Sequence, residues 1–87
     1  MASLILFEHE NFDGNSITLE NDTPNLSDLG WNDQTSSVKI LSGEWQLWSN
    51  ADFNGVALQL TSGDYPKLSD IDARFNDVIS SVKAFVG

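Results

Sequence analysis

The stretch Trp31-Asn32-Asp33-Gln34-Thr35-Ser36-Ser37-Val38-Lys39 decides the reading of this chain, because it occurs twice. It returns as Phe75-Asn76-Asp77-Val78-Ile79-Ser80-Ser81-Val82-Lys83. A second word precedes each copy. Phe7-Glu8-His9-Glu10-Asn11-Phe12-Asp13-Gly14 runs from an aromatic through a second aromatic to glycine, and Trp48-Ser49-Asn50-Ala51-Asp52-Phe53-Asn54-Gly55 keeps the same spacing. The two words hold their order in both halves, so the chain is an internal duplication, and such a period governs the fold. The halves differ by a short insertion between the words, which suits a surface loop.

The segments around these words alternate like half-buried strands. Ile17 and Leu19 share a face in Ser16–Glu20, Val38 and Ile40 in Ser37–Leu41, and Trp45 and Leu47 in Glu44–Trp48. Val56, Leu58 and Leu60 share a face in Val56–Leu60, as do Val82, Ala84 and Val86 in Ser81–Val86. Leu4–Phe7 is apolar on both faces and reads as a central or doubly covered strand. Asp13-Gly14, Ser42-Gly43, Asn54-Gly55 and Ser62-Gly63 punctuate the chain as turns. No long helical stripe is present; a single turn or short helix fits near Leu68–Arg74. The expectation is an all-β fold, a β-sandwich of two Greek-key motifs with about eight strands. One domain spans residues 1–87, with the first Greek key over about 3–41 and the second over about 42–87. Gly14 and Gly55 are placed where the chain folds back after an aromatic corner and positive φ is needed. The aromatics Phe7, Phe12, Trp48 and Phe53 are expected to pack around those corners as structural residues.

Composition narrows the function. The chain has 87 residues, which is enough for one small core that often needs a staple. It has no cysteine, so that staple is not a disulfide, and thiolate metal sites and cysteine nucleophiles are excluded. Thirteen Asp and Glu face only four Lys and Arg, for a net charge of −9. A phosphate-binding surface needs clustered Lys and Arg, so neither nucleic acid nor an anionic membrane is an expected partner. The longest apolar run, Leu4–Phe7, is too short to span a bilayer. No signal peptide is visible, which fits a cytoplasmic protein or a domain excised from a larger multidomain chain.

The acidity has a sharper reading in the duplicated loops. Asn-Asp-x-x-Ser-Ser supplies an amide, a carboxylate, main-chain carbonyls and two hydroxyls within one turn. Calcium takes six to eight such oxygens at about 2.3–2.6 Å. A single copy of this loop would be read as an Asx-type turn joining two strands. Two matched copies in an acidic, cysteine-free domain favour calcium, one ion through each of Asn32–Ser37 and Asn76–Ser81.

The paired words, with Ser42-Gly43-Glu44-Trp45 opening the second repeat and Gly63-Asp64-Tyr65 within it, make the whole chain resemble a microbial βγ-crystallin domain of the calcium-binding type. That resemblance implies a double clamp holding two Ca2+. Ser36 and Ser80 would give hydroxyl oxygens, and Asp33 and Asp77 carboxylates. The main-chain carbonyls of Gln34 and Val78 would reach across to the ion of the other repeat. The carbonyls of Glu8 and Ser49 would complete the protein ligands. Asn32, Asn76, Ser37 and Ser81 would shape the loops, the serines by hydrogen bonds to the main chain.

Other functions have less support in the sequence. His9 is the only histidine, and no nucleophile motif accompanies it. No EF-hand spacing, P-loop or dinucleotide fingerprint occurs. The chain is therefore read as not an enzyme. The alternative is a non-catalytic carbohydrate-binding or purely structural β-sandwich. Sugar binding would require Trp31, Trp45 or Trp48 to be exposed; on alternating strands they are expected in the core.

Overall fold

A computed structural model of the chain describes residues 2–31, 35–71 and 79–85. Among the described residues, seven strands form two antiparallel sheets. The strands are β1 (Ser3–His9), β2 (Asp13–Leu19), β3 (Ser37–Ser42), β4 (Glu44–Asn50), β5 (Asn54–Leu60), β6 (Gly63–Tyr65) and β7 (Ser81–Phe85). One sheet runs β2-β1-β3-β6 and the other β5-β4-β7. A short helix, α1, covers Leu68–Ile71, where the sequence suggested one.

Each repeat builds the body of one sheet and lends an edge to the other. β6 belongs to the second half of the chain but pairs with β3, setting Tyr65 opposite Val38. The first half returns the exchange at one point. Thr23 bridges Val82 of β7, with the Thr23 N–H donating to the Val82 carbonyl at 2.8 Å and the Val82 N–H to the Thr23 carbonyl at 3.0 Å. Val38 and Val82 occupy matching positions in the two copies, so this bridge is the counterpart of β6. The eighth strand expected from the sequence is thus reduced to a single pair among the described residues.

Alternation places the core as expected. Leu4, Leu6 and Val38 of the first sheet and Trp45, Leu47 and Val82 of the second are fully buried against one another. Complete burial of such a side chain is worth about 1.5–3 kcal/mol. Leu26 and Leu68 close the ends at matching places in the two repeats. Leu26 starts a 3-10 turn, Leu26–Leu29, that periodicity did not reveal. The Asn25 side chain caps that turn by accepting from the Ser27 N–H at 3.1 Å, and Gly30 ends it at φ 72.

That turn delivers Trp31, which precedes the first loop, to the core beside Thr35 within it. The Trp31 indole N–H donates to Thr35 Oγ1 at 3.0 Å, and both residues are buried. The second copy carries Phe75 and Ile79 at these positions, so it lacks both the donor and the acceptor. Thr35→Ile alone would strand a buried N–H and should cost about 1–3 kcal/mol. Adding Trp31→Phe removes the stranded group, so the double variant should recover part of that loss. Urea unfolding of the two single variants and the double variant checks this; strictly additive losses would contradict it.

Candidate metal centre

The two aromatic corners are built alike. After β1, residues Glu10–Phe12 turn sharply and β2 begins; after β4, Ala51–Phe53 do the same before β5. Positive φ was expected at the corner glycines, and Gly14 (φ 80) and Gly55 (φ 87) have it. Asn11, Phe12, Asp52 and Phe53 have it as well, at φ 57–60. A left-handed conformation is costly for phenylalanine, so something must hold these corners.

Two buried serines do so. The Ser37 hydroxyl donates to the His9 carbonyl at 2.6 Å and accepts from the Phe12 N–H at 3.0 Å. The Ser81 hydroxyl donates to the Asn50 carbonyl at 2.6 Å and accepts from the Phe53 N–H at 3.1 Å. Ser37 and Ser81 are therefore main-chain binders, as read from the sequence. A lysine caps each corner ring: Lys39 Nζ lies 4.6 Å from the centre of Phe12 and Lys83 Nζ 5.4 Å from that of Phe53. Phe12 also meets Phe7 edge to face at 5.5 Å.

The preceding serines face the seam between repeats. The Ser36 N–H donates to the Phe7 carbonyl at 2.9 Å, and the Ser36 carbonyl accepts from the Leu68 N–H at 3.0 Å. Phe7 is in the first repeat and Leu68 in the second. The Ser80 N–H donates to the Trp48 carbonyl at 2.9 Å, and its carbonyl accepts from the Leu26 N–H at 2.9 Å. The corners cross the seam too, with the Asn11 N–H donating to Pro66 O at 2.8 Å and the Asp52 N–H to Pro24 O at 2.7 Å.

This arrangement brings four of the expected site residues into two places. Ser36 is bonded to the residue just before Glu8, and Ser80 to the residue just before Ser49. The side chains of Glu8 and Ser49 are engaged elsewhere. Glu8 Oε1 lies 3.1 Å from His9 Nε2, and Ser49 Oγ accepts from the Val56 N–H at 2.9 Å. The donor types at both places are hydroxyl and carbonyl oxygen, which suits a hard cation rather than a soft one. Asp33, Gln34, Asp77 and Val78, with Asn32 and Asn76, lie outside the described residues. Among the described residues, no three His, Cys, Asp or Glu side chains gather as a metal cluster.

The competing sites find less support. The His9 side chain is 64% exposed, and its Nε2 lies beside Glu8 Oε1. Trp31 and Trp45 are buried, so neither offers a face to a sugar. Trp48 is half-buried, and its indole nitrogen is enclosed without a hydrogen-bond partner among the described residues. None of the described helices is long and apolar enough to cross a membrane.

Two interlocked repeats, each with a folded corner pinned by a serine, define a duplicated Greek-key sandwich. The chain belongs to the Beta/Gamma crystallin family, whose model matches residues 3–85. It is 36% identical over 83 residues to a beta/gamma-crystallin of Ciona intestinalis, covering 95% of this chain and 98% of that protein. A solved beta gamma crystallin from Ciona intestinalis superposes with a TM-score of 0.91 at 35% identity, covering 95% of this chain and 99% of that one. A betagamma-crystallin from an archaeon superposes with a TM-score of 0.86 at 31% identity, covering 97% and 98%. Other relatives are longer: the chain spans 23% of the epidermal differentiation-specific protein of Cynops pyrrhogaster, at 36% identity over 95% of this chain.

Proposed function

We propose that this crystallin domain binds two calcium ions at the seam between its repeats, and that bound calcium stabilises the fold. The observation that carries the proposal is the double anchoring of Ser36 and Ser80. Each is hydrogen-bonded through its main chain to both repeats, so an oxygen ligand at either serine ties the two halves together. In this reading Ser36 and Ser80 coordinate through hydroxyls, Glu8, Ser49, Gln34 and Val78 through main-chain carbonyls, and Asp33 and Asp77 through carboxylates. Water completes the shell. The charge supports the same reading, because two divalent cations offset part of a net −9 whose self-repulsion opposes the compact state.

Thermal melting tests the proposal. A ligand that binds only the folded state, at a hundredfold over its dissociation constant, adds about 2.7 kcal/mol. In a domain of this size each kcal/mol moves the midpoint by about 4–8 °C. Saturating calcium should therefore raise Tm by about 10–20 °C per site over a chelated sample. Magnesium, which holds its waters and demands a tight octahedron, should give much less. Equal melting in calcium, magnesium and chelator would overturn the proposal.

A further inference from the structure

We propose that Asp22 closes the open edge of β7, its carboxylate taking the place of a missing strand and keeping a second copy of this chain from pairing there. Among the described residues β7 is the outer strand of its sheet. An outer strand presents N–H and C=O groups that another chain can pair with. In β7 the outward N–H groups belong to Val82 and Ala84, which alternate along the strand and so face the same side. Val82 exchanges both of its bonds with Thr23. Beyond that pair the first repeat supplies no main-chain partner among the described residues. The Ala84 N–H donates instead to Asp22 Oδ1 at 2.7 Å, across 62 residues of sequence. Bonds to a carboxylate are the stronger kind.

The duplication shows what the carboxylate replaces. Asp22-Thr23-Pro24 matches Asp64-Tyr65-Pro66, and Ala84 matches Ile40. In the first sheet β6 continues through Asp64 to Gly63, which lies opposite Ile40. Gly63 does so at φ 149, a conformation that L side chains rarely adopt. Its counterpart is Asn21, where the chain bends instead of running on as a strand. The Thr23 hydroxyl braces that bend by donating to the Asn21 carbonyl at 3.2 Å. The Asp22 side chain then meets the edge at the position that main chain fills in the other sheet. Every copy carries the same β7 edge, so the occupant this closure excludes is β7 of a second copy, added antiparallel about a two-fold axis. Such a strand would have to displace Asp22 from Ala84. The closure does not depend on calcium.

Asp22→Ala and Asp22→Asn test this beside the parent protein, by amide hydrogen exchange and by sedimentation over a rising concentration series. Asp22 is exposed, so both variants should fold. In Asp22→Ala the Ala84 amide should exchange faster by about tenfold or more, as the loss of a bond to a charged group implies. Its average mass should climb toward that of a dimer with concentration. Asp22→Asn keeps an accepting Oδ1, so its Ala84 amide should stay protected and its mass should follow the parent. An Ala84 amide that exchanges no faster in Asp22→Ala would overturn the proposal, as would an Asp22→Ala protein whose mass matches the parent at every concentration. Equal association of Asp22→Asn and Asp22→Ala would overturn it too, because charge and not the hydrogen bond would then keep the copies apart.

Discussion

Gly55→Ala is expected to destabilise the domain by several kcal/mol, while Gly30→Ala should cost only about 1–2 kcal/mol. Both glycines have positive φ, 87 and 72, so both substitutions carry the left-handed penalty of an L-residue. Their surroundings differ. A Cβ on Gly30 meets nothing within 4 Å. A Cβ on Gly55 overlaps Ser49 Oγ and would sit 2.8 Å from Asn50 Nδ2. Ser49 cannot simply swing aside, because its hydroxyl accepts from the Val56 N–H at 2.9 Å. The corner must open, and the pairing of Asn50 with Asn54 goes with it. Total stability of such domains is about 5–15 kcal/mol, so this single methyl group threatens folding at ambient temperature. Urea unfolding of the two variants separates packing from backbone strain; equal losses would show that the close approach has no energetic weight.

Ser81→Ala is the second large effect. The hydroxyl holds the Asn50 carbonyl and the Phe53 N–H, the two ends of a corner whose Asp52 and Phe53 both have positive φ. Ser81 is fully buried, so the substitution leaves two main-chain groups without their partner, at about 1–3 kcal/mol each. The expected loss is about 2–5 kcal/mol. Ser37→Ala should behave the same way at the first corner, because its hydroxyl makes the matching pair of bonds. A loss below about 0.5 kcal/mol, typical of an ordinary surface substitution, would mean that the corners are held by something else.

The repeat explains why much of the fold was legible. Two copies of one word, spaced by alternating segments, imply two copies of one unit, and each expected strand is present over its described residues except that β2 ends at Leu19, one residue short of the expected Glu20. That Ser37 and Ser81 bond the main chain was implied by the family resemblance, and their partners lie 25–31 residues away in sequence. Other features depend on long-range contacts that leave no local pattern. Ser62-Gly63 reads as a turn, and Gly63–Tyr65 is too short to show alternation, yet it becomes β6 by crossing to β3. Positive φ at Phe12 and Phe53 runs against the preference of the residue, and distant serines stabilise it. The Trp31–Thr35 bond did leave a trace: the polar pair of one copy is replaced by Phe75 and Ile79 in the other. At the candidate site, residue types alone point to oxygen ligation. The anchoring of Ser36 and Ser80 to both repeats emerged only from the fold.

Seam binding by two ions is the central claim, and calorimetric titration of the chelator-treated protein with calcium tests it most directly. The account predicts saturable binding of two calcium ions per chain, with magnesium giving little heat over the same range. A stoichiometry of one, or no saturable binding, would contradict it.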